Sequence, residues 1–93
     1  QDAFQDLISL AGLLLNNNRI SYLPKGIFRN LKQLQFLDIG SNRLTEIGPE
    51  AGWKGCVKLA TLGFQENNIN HIQNYSFLGM TSLQGLDLQY NKL

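Results

Sequence analysis

The chain has 93 residues, which is the size of one domain, and its 8 basic and 7 acidic residues leave a net charge of only +1. This balance gives no overall electrostatic field that would attract nucleic acid or an anionic membrane, so the sequence predicts neither as a partner. The longest apolar stretch, 10–15, is far shorter than the roughly 18 residues of a membrane-spanning helix, and we expect no direct membrane insertion by this segment.

Along the chain, one pattern of leucines and an asparagine occurs four times. Residues 1–9 end a preceding unit, three full units follow at 10–33, 34–58 and 59–82, and 83–93 begin a fourth. The asparagines that recur in the pattern are 24, 25 and 24 residues apart. A fixed period of this length predicts a solenoid in which each coil packs on its neighbours. The four copies are Leu10-x-x-Leu13-x-Leu15-x-x-Asn18, Leu34-x-x-Leu37-x-Ile39-x-x-Asn42, Leu59-x-x-Leu62-x-Phe64-x-x-Asn67 and Leu83-x-x-Leu86-x-Leu88-x-x-Asn91.

The fold class predicted from these repeats is an α/β solenoid. Within each copy, apolar and polar residues alternate with the period of a short, half-buried strand. Strands of successive coils should pair in parallel about 4.8 Å apart and form one sheet on the concave face. The segments between the strands are too short for long helices, so loops or short helical turns are expected on the convex side.

The repeated asparagines Asn18, Asn42, Asn67 and Asn91 are predicted to be structural. Each follows a strand where the chain turns inward and leaves backbone groups without ladder partners. A side-chain amide has two donors and an acceptor with which to bond that turn, so the four should form a ladder of hydrogen bonds.

Two further repeated features predict the packing of the convex side. An aromatic residue recurs six residues before the first leucine of the next copy, at Phe4, Phe28, Trp53 and Phe77, and these rings are expected to form a buried column. The single cysteine, Cys56, occupies a repeated apolar position and should be a small buried hydrophobe rather than a reactive thiol.

The second full unit is one residue longer than the others. The extra residue falls between Thr45 and Trp53, where Gly48-Pro49 and Gly52 suit a turn. We expect a surface bulge there.

The complete pattern, L-x-x-L-x-L-x-x-N-x-L-x-x-L-P-x-x-x-F-x-x-L, resembles the 24-residue "typical" class of leucine-rich repeats over essentially the whole chain. Its members include Toll-like receptors, Slit-type guidance proteins, small proteoglycans and variable lymphocyte receptors. The resemblance implies an extracellular, secreted or cell-surface ectodomain, with roles such as innate immunity or cell adhesion. It implies a protein ligand, or a glycan or lipid, bound by the concave face or the lateral edges.

Two sequence features bear on that extracellular assignment. The cysteine-rich caps that close extracellular members are absent, so residues 1–93 are expected to be an interior fragment of a longer ectodomain. Asn74-Tyr75-Ser76 is an N-glycosylation sequon on the return side of the third unit, which predicts a glycoprotein modified at Asn74.

The outward residues between the framework leucines are the candidates for ligand binding. Phe36 is the most informative, because the framework needs no aromatic there and its neighbour in the preceding coil is Gly12; it is either a binding anchor or a scattered surface hydrophobe. Asp38 and Asp87 lie two strands apart, about 10 Å, which is at or beyond the separation of glycosidase carboxylates. They are an acidic notch for a basic group or simply solvated surface. The candidate binding residues are Leu14, Asn16, Phe36, Asp38, Thr61, Gln65, Glu66, Asp87, Gln89 and Tyr90.

We find no nucleophile, metal or phosphate-binding motif, so the sequence predicts no catalytic residue, no metal site and no cofactor. It favours a non-catalytic module that recognises a macromolecular ligand through its concave face. The alternatives are a segment that spaces or dimerises other parts of a receptor and an intracellular scaffold with similar repeats.

Overall fold

The structure is a computed structural model that describes residues 9–93. Short strands joined by turns and loops make up the structure. Phe4, the first residue of the predicted aromatic column, lies outside the described residues. The elements are the strands β1 (Gly12–Leu14), β2 (Phe36–Asp38), β3 (Glu46–Ile47), β4 (Thr61–Gly63), β5 (His71–Ile72) and β6 (Gly85–Asp87), with the 3-10 helices η1 (Pro49–Ala51) and η2 (Trp53–Gly55).

The leucine-bearing strands form one parallel sheet with the order β1-β2-β4-β6. The middle leucines of the strands are in register, since Leu13 pairs with Leu37, Leu37 with Leu62 and Leu62 with Leu86. Leu37 and Leu62 are fully buried, whereas Leu86 in the last strand is 39% exposed. In this sheet β2 and β4 each have a strand on both sides, whereas β6 has a strand on one side. The predicted α/β solenoid and its parallel sheet are confirmed.

The aromatic column is present inside the coils. The rings of Phe28 and Trp53 stack with their centroids 4.8 Å apart, and Phe77 lies 6.5 Å from Trp53. Trp53 Nε1 donates to the carbonyl oxygen of Gly48 at 3.0 Å, so the polar atom of the buried indole is satisfied within the longer loop.

The extra residue does not simply bulge at the surface as expected. The loop forms η1 and η2 around Gly52, which has a φ of 94°. Its backbone bonds the preceding coil, with Gly26 N donating to Glu50 O at 2.6 Å and Phe28 N to Ala51 O at 2.9 Å. Ala51 is buried while Glu50 remains exposed, so only part of the loop faces solvent.

The short pair of β3 and β5 was not predicted, because two-residue strands show no alternation of polar and apolar residues. Glu46 pairs with His71 and Ile47 with Ile72, in parallel. This second sheet follows the asparagine of each coil and ties the second and third full units together beyond the main sheet. The convex side thus holds 3-10 helices and turns, as expected, and a small sheet in addition.

Three of the repeated asparagines, Asn42, Asn67 and Asn91, each bond the backbone of two coils at once. Asn42 Nδ2 lies 2.9 Å from Leu15 O in the preceding coil and 3.0 and 3.1 Å from Ile39 O and Gly40 O in its own. Its Oδ1 accepts from Ile20 N at 3.0 Å. Asn67 and Asn91 repeat this arrangement one and two coils later. Among residues 9–93, Asn18 bonds its own coil alone, through Leu15 O and Asn16 O.

Candidate functional site

The side of the four-stranded sheet that faces away from the buried leucines is called here the outer sheet face. The register places its residues in rows across the strands. One row contains Gly12, Phe36, Thr61 and Gly85, and the next contains Leu14, Asp38, Gly63 and Asp87. In each row the framework leaves the residue type free to vary, and both rows combine glycine with larger or charged side chains.

A groove of about 500 Å³ lies on this face over β2, β4 and β6. Six of the residues singled out from the sequence line it: Phe36, Asp38, Thr61, Gln65, Asp87 and Gln89. Gly63 and Gly85 also line it and were not among the candidates. Gly63 lies between Asp38 and Asp87 in its row, and Gly85 lies beside Thr61. The remaining candidates, Leu14, Asn16, Glu66 and Tyr90, are not part of its lining.

Phe36 forms a partly open wall of the groove. It is 41% exposed, and its neighbours in register are Gly12 and Thr61. Gly12 offers no side chain to cover the ring on the β1 side. An aromatic ring held on a rigid strand with this exposure supplies apolar contact area without a large ordering cost.

Asp38 and Asp87 flank Gly63 in the same row. Each carboxylate accepts a hydrogen bond from the backbone N–H of the residue two positions later in the chain. Asp38 Oδ1 accepts from Gly40 N at 2.8 Å, and Asp87 Oδ1 accepts from Gln89 N at 3.1 Å. Within residues 9–93 neither carboxylate has a basic partner within salt-bridge distance, and the second oxygen of each makes no hydrogen bond. The groove therefore has two oriented and uncompensated negative charges.

Gln65 lies across the glycines between the strands. Its Nε2 donates to Asp38 Oδ1 at 3.1 Å, while its Oε1 is buried and has no partner among the described residues. A Cβ added at Gly40 would lie 2.3 Å from Gln65 Nε2, and one at Gly63 would lie 2.7 Å from Gln65 Oε1. The missing side chains at both glycines therefore make room for this amide. Sequence reasoning found Gln65 but not the glycines that place it.

The other outer-face candidates lie toward the ends of the array or past the strands. Leu14 is 66% exposed on β1, and Tyr90 is 76% exposed. Glu66 Oε1 accepts from Ser41 Oγ at 2.6 Å, which links neighbouring coils. Asn16 is half-buried.

Tyr90 and Glu66 share a backbone feature that the sequence did not reveal. The residue before each ladder asparagine has a positive φ, 61° at Asn17, 56° at Ser41, 58° at Glu66 and 59° at Tyr90. Four different residue types occupy this position, so no residue preference marks the turn in the sequence. In every coil the asparagine that follows bonds the backbone of the turn.

The Cys56 thiol does not line the groove. Cys56 is fully buried, as expected of a small hydrophobe at this position. Burial raises the pKa of its thiol to about 11, and Sγ donates to Phe28 O at 3.4 Å. Residues 9–93 contain no group of three or more His, Cys, Asp or Glu side chains that could hold a metal ion. In the same range there is no helix long and apolar enough to cross a membrane.

The sequence matches the family model described as "Leucine rich repeat" twice, over residues 1–44 and 37–93. Leucine-rich repeat-containing protein 66 from Rattus norvegicus is 37% identical over 81 residues, which is 87% of this chain and 9% of that protein. Lumican from Gallus gallus is 33% identical over 92 residues, 98% of this chain and 26% of that protein. Toll-like receptor 3 from Bos taurus is 33% identical over 84 residues, with 87% and 9% coverage. The chain thus spans about a tenth to a quarter of the length of these relatives.

Two solved complexes contain chains that superpose on this one. The Toll–Spatzle complex of Drosophila contains a chain that superposes with a TM-score of 0.90 at 28% identity, over 95% of this chain and 12% of that one. The TLR13–ssRNA13 complex gives 0.85 at 29% identity, over 91% and 12%. One neighbour is thus complexed with a protein and the other with RNA. The prediction that nucleic acid is not a partner consequently receives no support from the comparison.

Proposed function

Because the chain belongs to the leucine-rich-repeat family and is of its extracellular type, we propose that it is a non-catalytic recognition segment that binds a protein ligand through the outer sheet face. That face corresponds to the concave side of the predicted solenoid. The relatives support binding as the common activity and a receptor or matrix setting as the context. The ligand and the face that contacts it belong to our proposal.

The observation that carries the proposal is the composition of the groove. The buried side of the sheet is uniformly apolar, as the framework requires, whereas the groove combines a partly exposed aromatic ring with two oriented carboxylates. Interface anchors are typically aromatic residues surrounded by polar groups that fix orientation. A segment that only spaced other domains would have no need of Phe36 at a position where it gains little cover.

Site-specific photo-crosslinking tests the proposal. A benzoylphenylalanine replaces Phe36 in one variant and Leu78 in a matched control, since Leu78 is an apolar residue that is 66% exposed on the return side of the third unit. Each variant is mixed with secreted proteins from the cells that produce this chain and is then irradiated. The Phe36 variant should give a covalent protein adduct, and the Leu78 variant should not. An adduct at position 78 alone, or none at position 36, would exclude recognition by this face.

The partner identified in the adduct then allows a direct measurement. The double variant Phe36→Ala with Asp38→Ala should lose affinity for it by about tenfold or more while keeping the urea unfolding midpoint of the parent chain. Unchanged affinity would favour a spacing or dimerisation role for these coils.

Asn74 gives a separate test of the extracellular setting. Asn74 and Tyr75 are exposed just after β5, and Ser76 Oγ bonds Gln73 O at 2.7 Å. We propose that Asn74 bears a glycan, which at this place leaves the outer sheet face open. Protein secreted from eukaryotic cells should show a glycosidase-sensitive mass that the Asn74→Gln variant lacks. A secreted and unmodified parent chain would remove this part of the proposal.

A further inference from the structure

We propose that the groove receives an arginine side chain of the protein ligand, with its guanidinium between Asp38 and Asp87. This inference rests on the proposed function and adds the chemistry of the contact. It follows from the charge, the shape and the unsatisfied acceptors of the groove, each of which selects among the side chains that a ligand can offer.

The charge of the groove selects a cation. The two carboxylates have no basic partner within residues 9–93, and each uses one oxygen for a backbone N–H. The free oxygens therefore accept from whatever enters. A positive side chain is attracted there, and an acidic or apolar one would have to strip water from carboxylates without compensation.

The shape of the groove selects a planar cation with several donors. Asp38 and Asp87 lie on strands two apart, about 10 Å by strand spacing, and Gly63 between them has no side chain to fill the gap. A guanidinium has five N–H donors in a planar fork, so its two edges can serve the two carboxylates, whereas an ammonium offers one nitrogen to both. The exposed ring of Phe36 adds a surface on which a guanidinium stacks.

Gln65 provides a further acceptor at the same place. Its Oε1 has no partner among the described residues and lies over Gly63, beside the path between the carboxylates. An unpaired buried acceptor costs free energy that a donor from the ligand recovers. A rotation of the amide that presents Oε1 to the guanidinium would release Asp38 Oδ1 from Gln65 Nε2 and leave its bond to Gly40 N in place.

An NMR titration of the 93-residue chain tests the inference with defined probes. N-acetyl-arginine-N-methylamide is the probe, and the matching citrulline and lysine derivatives are the controls for charge and for shape. The arginine probe should shift the backbone amides of Gly63 and Gly85 in a saturable way. The citrulline probe, which has similar shape and no charge, should bind about three- to tenfold more weakly, and the lysine probe more weakly than arginine.

Isosteric variants locate the effect. Asp38→Asn and Asp87→Asn preserve the oxygens that accept from Gly40 N and Gln89 N and remove one charge each, and each should weaken arginine about threefold or more. Glu50→Gln, an exposed carboxylate on η1, makes the same change of net charge outside the groove and should leave binding unchanged.

The inference is overturned if arginine and citrulline bind alike, if lysine matches arginine, if Glu50→Gln weakens binding as much as the groove variants, or if the shifts fall outside the groove. Arginine binding that fails while the position-36 adduct still forms would refute the arginine contact and leave the proposed function standing. Loss of the adduct with arginine binding intact would refute the proposed function instead.

Discussion

Replacing Asn42 by leucine should strongly destabilise the chain, because its amide joins two coils. Asn42 Nδ2 has two protons and lies within 3.1 Å of three carbonyl oxygens, and Oδ1 accepts from Ile20 N at 3.0 Å. Leucine keeps the volume and removes all of these bonds. Asn42 is 9% exposed, so water cannot readily replace them.

The size of the effect follows from the number of bonds. Two donors and one acceptor are lost, and a net contribution of about 1 kcal/mol for each hydrogen bond gives a loss of about 3 kcal/mol. Since a domain of this size is typically stable by only about 5–15 kcal/mol, this is a large fraction of the total. The corresponding decrease in Tm is about 15 °C.

Asn18→Leu is the matched control. Asn18 occupies the same repeat position, but it is exposed, and within the described residues it bonds Leu15 O and Asn16 O of its own coil and no other coil. Water can solvate those groups, so the loss should stay below about 1 kcal/mol. Urea unfolding followed by the fluorescence of Trp53, the single tryptophan, measures both variants. A loss at Asn42 below about 1 kcal/mol, or equal losses at both sites, would refute the reasoning that bonds between coils carry the stability.

Three further outcomes follow from the structure. Gly55→Ala would place a Cβ 2.0 Å from the backbone oxygen of Arg29 and should cost about 1–3 kcal/mol by urea unfolding, whereas Gly12→Ala, with nothing within 4 Å, should stay near the parent; equal midpoints would contradict the close contact. Asn17→Ala should lose about 1 kcal/mol and Asn17→Gly little, because φ at this position is 61° and alanine disfavours it; equal unfolding midpoints would argue against that strain. Cys56 should react with a thiol reagent at pH 8 far more slowly in the native chain than in urea, because burial raises its pKa to about 11 and the thiolate is scarce below that value; similar rates would show that the thiol is accessible.

The repeat explains why so much of the frame could be predicted. Leu37 and Leu62 are buried because their strands pair with each other, one repeat period apart. The spacing of the leucines in the sequence shows that period directly. The same period identified which residues share a row on the outer sheet face. It did not predict β3 and β5, whose pairing depends on how the coils stack after the asparagine turn.

The groove was only partly predictable. Phe36, Asp38 and Asp87 were identified because they are aromatic or charged residues at outward positions between the framework leucines. The position of the Gln65 side chain, in contrast, depends on the absence of side chains at Gly40 and Gly63. Its buried Oε1 and its bond to Asp38 are outcomes of packing between coils. No spacing rule contains that information, because the amide could have turned toward solvent in an isolated coil.

The sequence by itself determined the solenoid, its register and the inward or outward direction of each strand residue, since these depend on a local period that each coil repeats. Only the tertiary structure decided how the longer loop packs on the preceding coil, which outward side chains share one groove, and which acceptors there remain unpaired. Those properties arise where two or three coils meet, and the free energy of a contact between coils depends on both partners rather than on either stretch of sequence alone.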